Sequence, residues 1–267
     1  MNTKIIVAMI FLLLVLSSGC IGSSSKPAKK LYATAMHYYN DGEYELSLAA
    51  CDRVLDSDPE YADAWYLKSM CYYYIGDYDE GIDSVDKALE IDSQHTNAWV
   101  MKGTYCAAYE DYDVTLEAVD KALEFDPDNA NAWLLKGMCY YYFDDYNESL
   151  NSINNALESN PEKVTAWIWK GKLHESLGWY EKALNAYDKA LELNPNDIEA
   201  WMLKGITYDS LEQYDNALNA YDRILEINPD SSETWQLKGN LLHKLGRTEE
   251  ADVCYAKVNE LLDWDES

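Results

Sequence analysis

The sequence predicts an all-α solenoid of about seven helical hairpins, and three observations support this fold class. Six tryptophans recur at one constant interval of thirty-four positions, with no insertion or deletion: Trp65, Trp99, Trp133, Trp167, Trp201 and Trp235. Within each period, apolar residues recur at the three-to-four-residue spacing of two successive helices. Turn residues such as Gly-Asp and proline separate those helices. A strict period of this length is typical of a repeat array in which each unit packs only on its neighbours.

The first nineteen residues differ from the rest of the chain. Lys4 precedes an apolar run over 5–16, and small residues follow it up to Cys20. This pattern predicts an export signal over 1–19, because the run is short for a membrane span. It resembles the lipoprotein signals of archaeal envelope proteins, in which the cysteine is lipidated, although Ser17 stands where leucine is usual. An uncleaved signal anchor is the alternative, and both place the chain on the extracytoplasmic side, tethered to the cell membrane.

Residues 20–30 follow as the lipidated cysteine and a short flexible tether rich in serine and lysine. The repeat array is expected over 31–265. Its units each have the length of the tryptophan interval, and they are 28–61, 62–95, 96–129, 130–163, 164–197, 198–231 and 232–265.

The unit at 62–95 illustrates how each hairpin is predicted. One stripe of a first helix holds Trp65, Ser69, Tyr72 and Ile75. One face of a second helix holds Tyr78, Ile82, Val85, Ala88 and Leu89. Gly76 ends the first helix, and Asp77 with Glu80 is the pattern of a helix cap.

Two later units carry the fullest repeat pattern. In 164–197 it comprises Trp167, Gly171, Tyr180, Ala183, Tyr187, Ala190 and Pro195. In 198–231 it comprises Trp201, Gly205, Tyr208, Tyr214, Ala217, Tyr221 and Pro229. These residues resemble the tetratricopeptide repeat pattern, which implies a right-handed superhelical solenoid. The repeat glycines are Gly103, Gly137, Gly171, Gly205 and Gly239, and we expect them to allow the two helices of a hairpin to approach closely.

The array departs from the family pattern in three places. The usual leucine is lysine in every unit that carries the tryptophan, and we expect its methylene stem to pack while the ammonium reaches water. The first unit has Leu31 in place of tryptophan, and the last has Thr248 in place of tyrosine. Terminal units of an array are commonly atypical because one of their faces meets solvent.

Composition and motifs argue against nucleic-acid binding and against catalysis. The formal net charge is −27, whereas nucleic-acid binding needs a basic surface. The four histidines do not pair at metal-ligand spacing, and no phosphate-binding glycine loop or nucleophile elbow occurs. We therefore expect no enzyme activity, no metal and no cofactor. The five cysteines after Cys20 are expected to be mostly buried, free thiols, with disulfides as the alternative.

The resemblance also implies that the first helices line a concave groove that holds a peptide or protein partner. Helical direction places the residues one, five, eight and nine after each tryptophan on that groove. The candidate partner-binding residues are Tyr66, Met70, Tyr73, Tyr74, Leu134, Met138, Tyr141 and Tyr142. Packing of several of these tyrosines against the neighbouring hairpin is the alternative.

The same positions in other units predict a change of character along the groove. Val100, Thr104, Ala107 and Ala108 are small and predict a recess. The units at 164–197 and 198–231 add polar and acidic groups, through Ile168, Lys172, Glu175, Ser176, Met202, Ile206, Asp209 and Ser210. The basic set that clamps a partner's terminal carboxylate in some family members is missing, since its positions hold Asp63, Asn97, Met70 and Thr104.

These expectations favour a non-catalytic interaction scaffold at the outer face of the cell membrane. The scaffold would bind a protein segment of unknown identity in the groove. The alternative is an accessory or receptor subunit that binds a small molecule or glycan for an envelope enzyme or transporter.

Overall fold

The computed structural model describes residues 25–265, and every regular element in that range is a helix. The fourteen helices of this range are α1 Ser25–Asn40, α2 Tyr44–Ser57, α3 Ala62–Ile75, α4 Tyr78–Ile91, α5 Thr96–Ala108, α6 Tyr112–Phe125, α7 Ala130–Tyr142, α8 Tyr146–Ser159, α9 Val164–Ser176, α10 Tyr180–Leu193, α11 Ile198–Ser210, α12 Tyr214–Ile227, α13 Ser232–Lys244 and α14 Thr248–Asp265. The prediction of an all-α array of helical hairpins is confirmed.

The helices fall into two compact units. Residues up to Ala98 form the first unit, and residues from Trp99 onward form the second. In the first unit, α1 packs on α2 and α3 packs on α4, and the first helices α1 and α3 also touch. In the second unit, α7 packs on α8, α9 on α10, α11 on α12 and α13 on α14, while α7 contacts α9 and α9 contacts α11. First helices therefore lie side by side within each unit.

Two local expectations need correction at the start of the array. The first helix begins at Ser25, so residues 25–30 of the expected flexible tether are helical. Asp77 does occupy the N-cap of α4, but its side chain accepts no capping hydrogen bond there. Asp111 and Asp145, at the equivalent positions before α6 and α8, do accept such bonds, from the backbone N–H groups of Val114 and Glu148.

The six tryptophans join each hairpin to the turn before it. Each indole is half-buried, and five of them donate from Nε1 to a proline carbonyl six residues earlier, at 2.7–3.0 Å. The repeat lysine lies over the same ring, with Nζ 5.1–5.9 Å from the centroid in all six units. A cation at this distance adds a favourable electrostatic contact. The tryptophan and lysine thus form one repeated packing unit.

The repeat lysines also pair with the preceding hairpin. The ammonium reaches the residue sixteen positions earlier, on the second helix of that hairpin. This residue is an aspartate in the pairs Lys68–Asp52, Lys136–Asp120, Lys204–Asp188 and Lys238–Asp222. Lys170 departs from this pattern, because its neighbour is the amide of Asn154, at 2.8 Å. One hairpin junction therefore lacks the carboxylate that its counterparts have.

Close approach of the helices depends on the repeat glycines. A Cβ at Gly171 would lie 2.2 Å from Cε1 of Tyr187, and one at Gly205 would lie 2.7 Å from Cε1 of Tyr221. In three earlier hairpins a buried hydroxyl also joins the two helices. Ser47 donates to the carbonyl of Ala35, Thr115 to that of Gly103 and Ser149 to that of Gly137. Each hydroxyl is fully buried, so the bond satisfies a polar group that would otherwise be costly.

The turn inside each hairpin contains one residue with a left-handed backbone. The residue is glycine in four hairpins, with φ between 72° and 93°, and Glu110, Asp144 and Glu212 hold the same position with φ near 60°. This conformation is costly for residues that carry a Cβ, so three of the turns contain local strain.

The predicted signal segment and Cys20 lie outside the described residues. Across the range that is described, no helix is both long enough and apolar enough to span a bilayer.

Candidate partner-binding face

In the second unit, aromatic side chains from three consecutive hairpins meet around the C-terminal end of α7. Tyr112 stacks on Tyr142, with ring centroids 4.8 Å apart and an interplanar angle of 8°. The Trp169 ring packs edge-on against both Tyr141 and Tyr142, at 5.6 and 6.1 Å. Phe143 completes the group at 5.9 Å from Tyr112. We call these five residues (Tyr112, Tyr141, Tyr142, Phe143 and Trp169) the aromatic face.

The aromatic face combines solvent exposure with fixed geometry. Tyr142 is 51% exposed and Phe143 44% exposed. Tyr141 is held by a hydrogen bond of 2.8 Å between its hydroxyl and that of Ser176, and Lys172 lies 4.3 Å above the Trp169 ring. Aromatic side chains lose little entropy when they become contacts, because few torsions have to be fixed. The rings of this exposed surface are therefore held in a fixed arrangement.

The first unit repeats part of this arrangement. Tyr44 stacks on Tyr74 at 4.8 Å and 6°, the same geometry as Tyr112 on Tyr142. Tyr39 packs edge-on against both rings, and Tyr73 contacts Tyr74. Burial and a hydrogen bond to Tyr74 raise the pKa of Tyr39 well above its ordinary value, so its phenol stays neutral. Tyr74 is 57% exposed.

The predicted groove residues do not all reach the surface. Leu134 is 7% exposed and Ile168 is 2% exposed, and both pack in core clusters between hairpins. The prediction that Leu134 lines the groove is therefore wrong. Its position one residue after the tryptophan points toward the next hairpin and not toward solvent.

Tyr66 shows the same tendency at the equivalent position of the first unit. It is half-buried, and its ring lies 5.0 Å from that of His95, which bonds Asp63 at 3.1 Å. Met70 and Met138 are also half-buried and pack against core clusters. Of the eight candidates, Tyr74 and Tyr142 present the largest exposed surface, and Tyr73 and Tyr141 support them through ring contacts.

The predicted acidic part of the groove is largely engaged. Glu175 accepts hydrogen bonds from the hydroxyls of Tyr187 and Thr207, at 2.9 and 3.0 Å. Burial and the adjacent Glu175 charge raise the pKa of Tyr187 well above its ordinary value, which keeps this donor protonated. Asp209 pairs with Lys244 at 2.9 Å, and this contact raises the pKa of the lysine. These charges join hairpins, so a partner meets fewer free carboxylates than the sequence suggests.

Sequence reasoning missed Trp169, Tyr112 and Phe143. Trp169 falls two residues after a repeat tryptophan, where Leu67, Met101, Leu135, Leu203 and Leu237 stand in other units. The signal available in the sequence was this one large aromatic side chain at a repeat position that is otherwise leucine or methionine. Tyr112 and Phe143 sit at a helix start and in a turn, outside the positions that the resemblance marks for contact.

The cysteines within the described residues are mostly buried. None of the five in this range is in a disulfide, four are buried, and Cys106 is partly exposed. Burial raises the pKa of both Cys51 and Cys139 to about 12, so these thiols are protonated and poorly nucleophilic at neutral pH. No cluster of three or more histidine, cysteine, aspartate or glutamate side chains within the described range is placed to hold a metal ion.

Comparisons with known proteins agree with this architecture. Tetratricopeptide repeat models match residues 32–96, 130–163, 164–197, 198–231 and 220–252. A comparison with curated proteins finds no match to this sequence.

Solved structures give the same fold at low identity. PilW, described as a widely conserved type IV pilus biogenesis factor, superposes with a TM-score of 0.70 at 20% identity over 79% of this chain and 97% of its own. PilF of Pseudomonas aeruginosa gives 0.66 at 20% identity over 75% and 91%. YrrB, described as a protein with an unusual peptide-binding site, gives 0.50 at 22% identity over 71% and 97%. Identities this low support the fold alone. Five matching repeat models and a shared hairpin architecture establish that this chain belongs to the tetratricopeptide repeat proteins.

Proposed function

We propose that the protein is a non-catalytic scaffold that binds a segment of a partner protein across the aromatic face. The observation that carries this proposal is the exposure of Tyr142 and Phe143 beside rings that are already fixed by stacking. Tyrosine, tryptophan and phenylalanine are enriched where proteins bind one another. The fold supports the same conclusion, since the related YrrB is described as having a peptide-binding site.

The chemistry of the face favours a partner segment with apolar or aromatic anchors. Trp169 and Tyr142 offer ring surface, while Lys172 and Ser176 at its border offer polar contacts. A small molecule or glycan for an envelope enzyme or transporter is the second candidate, because stacked rings also bind sugars. The two candidates differ in what crosslinks to the face.

A photoreactive amino acid placed at Tyr142 is expected to crosslink a specific protein in intact cells. The matched control places the same group at Phe125, which is 37% exposed at the end of α6 and outside the aromatic face. Trp169→Ala in the Tyr142-labelled protein should reduce the adduct at least fivefold while the helical circular dichroism is unchanged. Equal labelling at Phe125, or insensitivity to Trp169→Ala, would contradict the proposal. Recovery of a crosslinked small molecule or glycan, with no protein adduct, would favour the second candidate.

We further propose that the scaffold is anchored at the extracytoplasmic side of the cell membrane through a lipid on Cys20. The signal-like segment 1–19 and the cysteine that follows it support this proposal. Cys20→Ser is expected to abolish metabolic incorporation of a lipid label and to move the protein from the membrane fraction to the soluble fraction. Cys106→Ser, at a partly exposed thiol of the array, is the control and should keep both properties. If the Cys20→Ser variant incorporated as much lipid label as the parent, the proposed lipid anchor on Cys20 would be wrong.

A further inference from the structure

The fifth hairpin, α9–α10, contains a cleft of about 460 Å³ that none of the aromatic-face residues lines. Trp167, Lys170 and His174 of α9 form one wall, and Lys182 and Lys189 of α10 form part of the other. A cleft of this size is in the range of small-ligand sites. Its concentration of cationic side chains contrasts with the net charge of −27 of the whole chain.

The carboxylates at this cleft are already paired. Asp188 pairs with Lys204 of the next hairpin, and Glu192 pairs with Lys189 at 2.5 Å. Lys182 lies over the Trp179 ring at 3.9 Å, a contact that leaves its positive charge uncompensated by a carboxylate. Two cations, Lys170 and Lys182, therefore face the cleft without an acidic partner among the described residues.

Lys170 lacks its partner because of a single residue difference. The equivalent lysines Lys68, Lys136, Lys204 and Lys238 each pair with an aspartate sixteen positions earlier. For Lys170 that position, on α8 of the preceding hairpin, holds Asn154, whose amide oxygen accepts from Lys170 but brings no charge. The side chain of Lys170 is partly desolvated, and that burial lowers its pKa. The hairpin therefore contains a half-buried cation whose counter-charge is missing.

His174 adds an independent observation. Only 7% of this residue is exposed, and its buried Nδ1 has no hydrogen-bond partner. That atom has almost no solvent access, so it does not itself contact a ligand in the cleft. Burial lowers the pKa of His174, and the charges of Lys170 and Lys182 lower it further, so both ammonium groups lie close to this ring. A bound oxyanion at the cleft would supply the counter-charge to both lysines.

We propose that this cleft is a binding site for a small oxyanion, the phosphate or carboxylate group of a small molecule, held between Lys170 and Lys182 beside His174. Charge-assisted hydrogen bonds to an ammonium are the strong contacts for such groups. The cavity exceeds the size of one phosphate, so the ligand extends beyond its anionic group along Trp167.

The test is an NMR titration of the purified protein with inorganic phosphate and, separately, with succinate. Ionic strength is held constant with chloride, and the side-chain signals of His174 and Trp167 report binding. A saturable shift with phosphate alone assigns a phosphate ligand, and one with succinate alone assigns a carboxylate ligand. Saturation with both assigns an oxyanion site that accepts either group. Shifts that do not saturate with either anion overturn the proposal.

Asn154→Asp provides the specific variant. It restores beside Lys170 the ion pair that four other junctions contain, so the fold is maintained while the cation is neutralised. The affinity should fall at least tenfold, and Lys170→Met should produce a similar loss. Lys136→Met, at the equivalent position of the preceding hairpin, is the matched control and should bind as the parent does. An unchanged affinity in Asn154→Asp would overturn the assignment even if phosphate or succinate binds.

Discussion

Replacement of Gly171 by serine is expected to lower the free energy of unfolding by about 3 kcal/mol, at the upper end of the usual cost of overpacking. A Cβ at this position would lie 2.2 Å from Cε1 and 2.6 Å from Cδ1 of Tyr187. Tyr187 cannot move aside easily, because it is fully buried and its hydroxyl is bonded to Glu175. Urea denaturation followed by circular dichroism measures the change.

The protein itself suggests how this loss can be reversed. The hairpin at 62–95 carries Ser69 at the glycine position and Val85 at the tyrosine position, both fully buried. Tyr187→Val should therefore be less harmful in the Gly171→Ser background than in the parent, with a coupling of about 1–2 kcal/mol in a double-mutant cycle. Gly103→Ser is the control, because its Cβ would meet Val119 and Leu135 side chains only at 3.2–3.3 Å. Additive effects at Gly171 and Tyr187 would show that the steric explanation is wrong.

Trp201→Ala is expected to cost about 3–5 kcal/mol and to divide the unfolding of the second unit into two transitions. The ring packs against two core clusters, one built around α9–α11 and the other around α11–α14. In a repeat array, stability depends on contacts between neighbouring hairpins, so loss of a shared contact uncouples them. Calorimetry of the variant should resolve two peaks in place of the single transition of this unit in the parent.

Two further variants separate the causes of this effect. Trp201→Phe retains ring packing but loses the indole N–H that donates to the Pro195 carbonyl at 2.9 Å, and should cost about 1–2 kcal/mol. Trp235→Ala removes a ring that packs against the terminal cluster, so it should lower stability without creating the same second transition. Identical calorimetric profiles for Trp201→Ala and Trp235→Ala would contradict the proposed link between clusters.

The constant spacing of the tryptophans predicted the fold because it follows from the way each hairpin packs on the next. A tryptophan at a constant interval requires the same environment in every hairpin, and Gly171 opposite Tyr187 shows why a small residue accompanies it. The candidate face was harder to predict. Leu134 shares its register with the half-buried Tyr66, and it is buried against residues of the next hairpin, which helical direction alone does not reveal.

Residues that differ from the type found at the same position of the other repeats indicated the candidate sites better than residues that match it. Trp169 stands among aliphatic residues and became part of the aromatic face. Asn154 stands among aspartates and leaves Lys170 without a counter-charge. Neither consequence can be predicted from helical direction, because both depend on side chains of an adjacent hairpin.

The hydrogen bonds from the tryptophan indoles to the proline carbonyls limit how the length of this chain can change. Each bond spans six residues, from Pro161 to Trp167 for example, and closes at 2.7–3.0 Å. One residue inserted into the helical part of that span would rotate the indole by about 100° around its helix and break the bond. Viable length variants would therefore gain or lose whole hairpins, or would change the separate turn within a hairpin. The bond therefore fixes the distance along the chain between each turn and the hairpin that follows it, and it confines changes of length to whole repeats and to the turns within hairpins.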